Sequence, residues 1–130
     1  MNSLNLRIGN YVETEDSVVE IVAVHGQDRD IMVRLPSKKI TGIKPVTIKP
    51  ILLAPDMLVR NCGFDHNCKH VIGIDYERYH LWFANGYITL SNKKNVPVIH
   101  FWDVRHLHQL QNLYFALKGE EIKISLDGFR

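Results

Sequence analysis

The chain of 130 residues has little cysteine, only Cys62 and Cys68. Two thiols do not make the disulfide framework that staples many small secreted domains, so packing must hold the fold. No apolar run approaches the ~20 residues that a membrane-spanning helix needs. The opening Met1-Asn2-Ser3-Leu4-Asn5-Leu6-Arg7 lacks the apolar centre of a secretion signal. A reduced, cytoplasmic protein without membrane attachment is expected. The eight glycines are scattered and build no phosphate-cradling loop. Seven histidines are present, yet no Ser-His-Asp, Cys-His or paired-carboxylate spacing emerges. The expectation is therefore no enzyme, no cofactor and no small-molecule substrate.

What is there is an ordinary globular composition with uneven charge. Apolar residues make up 45%, and the net charge is only +2, too small to imply nucleic acid by itself. Residues 1–30 hold two basic and six acidic side chains, a balance of −4, whereas residues 31–60 hold six basic and one acidic, a balance of +5. The basic block (Arg34, Lys38, Lys39, Lys44, Lys49, Arg60) is spread over strands and loops, and reads as a solvated face before it reads as a phosphate patch.

The first half reads as short strands. Leu4, Leu6 and Ile8 alternate with polar residues before Gly9-Asn10 bends the chain. Val18 to Val24 is rich in β-branched residues, His25-Gly26-Gln27-Asp28 turns, and Ile31, Val33 and Leu35 alternate again. Ile43-Lys44-Pro45 and Ile48-Lys49-Pro50 lack ladder donors at each proline, which confines them to edges or connections. Short strands with tight turns predict a small barrel of the Src-homology-3 type over residues 1–54, with a plain meander as the alternative. Pro55 to Gly63 has proline in a first turn and glycine past the end, a short helix at a soft boundary.

Residues 55–130 read as an antiparallel sheet and one long helix, which makes the whole α+β. Asn85-Gly86 is the strongest hairpin signal, because both residues tolerate positive φ. It sets Ala84 against Tyr87, Phe83 against Ile88, Trp82 against Thr89 and Leu81 against Leu90. From Trp102 to Gly119 the period is 3.6, with Leu107, Leu110, Leu113, Tyr114 and Leu117 on one stripe. Asp103 is the expected cap and Gly119 the stop. Leu110 and Leu113 are expected to pack on Leu81, Phe83, Ile88 and Leu90. A last edge strand over Glu120–Leu126 and fraying over Asp127–Arg130 complete the expectation.

Three stretches carry a family resemblance: Leu6-Arg7-Ile8-Gly9-Asn10-Tyr11-Val12; Ile48-x-Pro50-Ile51-x-Leu53 with Leu58 and Gly63-Phe64; and His108-Gln109-Leu110-Gln111-Asn112-Leu113-Tyr114-Phe115-Ala116-Leu117-Lys118-Gly119-Glu120-Glu121. They resemble a family of small proteins encoded by gut Bacteroidetes genomes, often near prophage or mobile-element genes. The resemblance implies a compact α+β protein and supplies no activity. It does not reach the Cys62…His70 segment.

Three groups of residues invite chemistry. Cys62, His66, Cys68 and His70 are zinc-ligand types within nine residues, but compact zinc sites space paired cysteines by two residues and here the gap is five. A packed cysteine beside solvated histidines is the preferred reading. His108, Gln111 and Asn112 share a polar helix stripe, read as bonding a neighbouring loop backbone. Trp82 and Tyr87, with His100 and Trp102 if Ile99 and Phe101 turn inward, gather on one sheet face. That face either lies covered within the fold or stays open for a partner. The leading expectation is a non-enzymatic module for a protein partner or self-association; a nucleic-acid-binding accessory protein of a phage or mobile element is the alternative.

Overall fold

The computed structural model describes residues 6–15, 17–24, 31–44 and 47–125. Its strands are β1 (Tyr11–Glu13), β2 (Val18–Ala23), β3 (Ile31–Arg34), β4 (Ile40–Ile43), β5 (Lys69–Ile74), β6 (Glu77–Ala84), β7 (Tyr87–Asn92) and β8 (Pro97–Phe101). Helix α1 is Pro55–Asn61 and α2 is Leu107–Lys118. The fold is α+β, with two antiparallel four-stranded sheets in the orders β1-β2-β3-β4 and β5-β6-β7-β8. Two compact units divide the chain: residues up to Ile51 together with His106–Asn112, and Leu52–Arg105 together with the residues from Leu113 on.

In the first unit the alternation of β-branched residues does what period two requires. Val12 pairs with Val19 and Ile21 with Val33. These four, with Ile31 and Ile48, form a buried aliphatic cluster. Gly9 takes φ +94, where a side chain would be strained, and lets the chain bend into β1. The expected barrel does not close among the described residues. Beside the meander, Glu13 of β1 bridges Lys49 through two backbone bonds of 3.0 and 2.8 Å. Pro50 follows at once and has no N–H to extend it. Leu4, His25–Asp28, Pro45, Leu126 and Asp127–Arg130, which the sequence reading also assigned, lie outside the described residues.

In the second unit α1 begins on Pro55, buries Met57 and Leu58, and is followed by Gly63 at φ +78. The Asn85-Gly86 turn has φ +57 and +86, and the register between β6 and β7 is the one its two-residue loop demands. A second two-residue turn, Asp75-Tyr76, joins β5 to β6 at φ +50 and +66 and carried no glycine to announce it. No strand forms over 121–125; there the backbone of Ser125 bonds Asn61 at the end of α1, with both bonds at 2.7 Å.

Helix α2 is shorter than its sequence pattern. Asp103 lies in the turn before it and does not cap it; instead the His106 N–H donates to Gln109 Oε1 at 3.0 Å. Gly119, at φ +75, ends the helix as expected, its N–H reaching Phe115 O at 2.8 Å. Leu107 and Leu110 are fully buried, but Leu113 and Leu117 are only half-buried and Phe115 is exposed. The apolar stripe is thus used fully only in the helix's first turns, which belong to the first unit; the rest belongs to the second.

Candidate interaction face

The ladder of the second sheet builds a face from alternating positions. Lys69 pairs with Trp82, Trp82 with Thr89, and Thr89 with His100. One step along, Ala84 pairs with Tyr87, and Trp102 follows Phe101, the partner of Ile88. Tyr87, His100 and Trp102 come together: the Tyr87 and Trp102 rings are 4.5 Å apart, His100 and Trp102 5.1 Å, and Tyr87 and His100 6.1 Å. Tyr87 is 9% exposed, whereas Trp102 is 57% exposed and His100 is open to solvent. Tyr87 is thus the buried base of the cluster and Trp102 its accessible part.

Trp82 stands one row away. Its indole N–H donates to Ser91 Oγ at 2.9 Å, and Lys69 Nζ lies 5.1 Å over its ring. Arg105 caps the other end, its guanidinium 5.8 Å over Tyr87 while Nε donates to Trp102 O at 3.0 Å. Cations held over aromatic rings are attracted by the ring quadrupole. Thr89 Oγ1 sits 3.0 Å from His100 Nδ1 and fixes that ring. The four ring-bearing residues can be placed on one face from the sequence, whereas the two cations cannot. Lys69 becomes visible only with the β5–β6 register, and Arg105 only with the turn after β8.

The polar stripe on α2 has a structural task. Gln111 accepts from Tyr11 N–H at 2.8 Å and donates to Gly9 O at 2.9 Å. Asn112 Oδ1 accepts from Arg7 Nε and from Asn10 Nδ2, both at 2.9 Å. These side chains pair the irregular backbone and side chains around Gly9 that no strand could satisfy. His108 is buried, its ring 6.1 Å from that of His106.

The Cys/His segment does not converge. Cys62 is buried with its thiol 3.7 Å from Met57 Sδ, and burial pushes its pKa up to about 12. Cys68 is half-buried at φ +60, its thiol pKa raised by burial and then by Asp65 and Asp56. His66 is exposed, and His70 stacks on Phe64 at 5.2 Å with Nδ1 3.2 Å from Gly63 O. Among the described residues no three His, Cys, Asp or Glu side chains gather as a metal would require. Among them, too, no helix is long and apolar enough to cross a membrane.

Comparison with protein-family models, with curated proteins and with solved structures gives no match.

Proposed function

We propose that the protein is a non-enzymatic interaction or assembly module that docks a protein partner, a second copy included, on the Trp102 end of its second sheet. One observation carries this reading: the Trp102 ring is 57% exposed yet held in place against Tyr87 and His100. Preordered tryptophan and tyrosine lose little freedom on binding and supply much of the energy at interfaces. The first unit, with the Lys49 bridge beside β1 and then β2, β3 and β4, is read as an open relative of the Src-homology-3 barrel. The resemblance of its three stretches to the gut Bacteroidetes family supports reading a cytoplasmic role near prophage or mobile-element functions. Sedimentation velocity of the full chain over a wide concentration range tests the docking. Association that Trp102→Ala abolishes without lowering the melting temperature supports it. A chain that stays monomeric and loses stability on Trp102→Ala refutes it.

A second reading, a nucleic-acid-binding accessory role, is favoured by Lys69 over Trp82 and Arg105 over Tyr87, which set cations among rings on which bases could stack. It predicts retention on single-stranded oligonucleotides that falls steeply with salt, as released counterions require.

A further inference from the structure

The opposite end of the second sheet carries a cleft that the Trp102 cluster does not use. It measures about 610 Å³ and is lined by Tyr76, Glu77, Arg78, His80 and Lys93. Arg78 and His80 are alternate residues of β6 and share a face. The register that sets Tyr79 against Asn92 brings Lys93 beside Arg78. His80 is 8% exposed, and its Nδ1 is held 3.0 Å from Asn95 Oδ1, which leaves Nε2 as the ring atom with no partner among the described residues. Arg78 and Lys93 are exposed and form no ion pair among the described residues, Glu77 at the start of β6 included.

Tyr76 is the residue that folding does not account for. It occupies the second position of a two-residue hairpin turn at φ +66, where glycine or asparagine fits and a tyrosine is strained. Its side chain is fully exposed, so the ring contributes no burial in return. A strained, exposed ring at the mouth of a cleft with two cations unpaired among the described residues suits a ligand that is flat at one end and anionic at the other.

We propose that this cleft binds a nucleotide unit, with phosphate on Arg78 and Lys93 and the base against Tyr76. Arginine and lysine recognise phosphate oxygens by charge-assisted hydrogen bonds, and a base stacks on any accessible aromatic face. The cleft volume lies within the range of small-ligand sites. The unit belongs either to a free nucleotide or to a single strand. This site stands apart from the Trp102 reading and does not depend on it.

Titration of the full chain with inorganic phosphate, adenosine monophosphate and a short single-stranded oligoadenylate, followed by calorimetry, tests the assignment. Adenosine monophosphate should bind more tightly than inorganic phosphate. Tyr76→Gly should raise the melting temperature, because glycine suits positive φ, while weakening adenylate binding about tenfold, the worth of one base stack. Arg78→Ala should weaken phosphate and adenylate together. An oligoadenylate that binds more tightly than the monophosphate assigns the site to a strand; equal affinity assigns it to the free nucleotide. Adenylate no tighter than inorganic phosphate, binding absent at millimolar ligand, or affinities unchanged in both Tyr76→Gly and Arg78→Ala would each overturn it.

Discussion

The two sheets share strand number and antiparallel order but keep their structure by different means. The first buries a purely aliphatic cluster and closes its irregular corner with amide side chains from α2. Its charges are arranged by the ladder: Glu20 and Arg34 are register partners, and their side chains approach to 3.6 Å. The second sheet buries Ile72, Leu81, Ile88 and Leu90 on one face. Its other face carries rings, hydroxyls and cations, and no strand position on it holds Asp or Glu. A sheet satisfied by packing on one side can keep the other for recognition.

The strongest test of that difference is Ile21→Ala. Ile21 is fully buried in the aliphatic cluster, and truncation there should cost about 2–5 kcal/mol in urea unfolding. A loss below about 1 kcal/mol would mean that the cluster does not hold the first sheet. Gln111→Ala comes next. It removes two part-buried bonds, from Tyr11 N–H and to Gly9 O, and should cost about 1–3 kcal/mol in all. Faster hydrogen exchange at the Tyr11 amide should accompany the loss. An unchanged amide would show that the clamp is dispensable.

Much of this was legible in the residues. Asn85-Gly86 fixed a register because only left-handed turn residues suit a two-residue hairpin, and alternation then sorted Trp82 and Tyr87 from Leu81 and Ile88. Gln111 and Asn112 were readable as loop-bonding residues because amides on a helix stripe need partners. Three features were not legible. Asp75-Tyr76 turns without glycine, so neither the hairpin nor the ring at its tip stood out. Asp103 looked like a cap, but Gln109 reaches back to His106 and starts the helix later. The half-burial of Leu113 depends on where tertiary packing stops, which a periodic pattern cannot tell.

Cys62 provides a smaller test, confined to alkaline pH. Its thiol ordinarily titrates near 9.0, and burial pushes it up to about 12 in the fold. Between those values the unfolded chain has released a proton that the folded chain keeps. Stability is therefore unaffected by this thiol below pH 9 and falls as pH rises toward 12. The loss should reach about 1.4 kcal/mol by about pH 10. Urea unfolding at several pH values should show this slope in the native protein and a flatter one in Cys62→Ala. Equal slopes would mean that the thiol is more hydrated than its packing against Met57 implies.

The smallest expected effect bears most directly on the comparison. Trp102 makes ring contacts with Tyr87 and His100, yet most of its surface faces solvent, so Trp102→Ala should change stability by about half a kcal/mol or less. Trp82→Ala should cost more, because it strips the buried Ser91 hydroxyl of its indole donor. Chemical denaturation of the two variants beside the parent gives the ranking. If Trp102→Ala cost as much as a core truncation, the rings would be structural glue, and the second sheet would spend both faces on stability. If Trp102 proves dispensable while Trp82 does not, the face divides into a supporting row and an accessible one, and only the accessible row has reason to meet a partner.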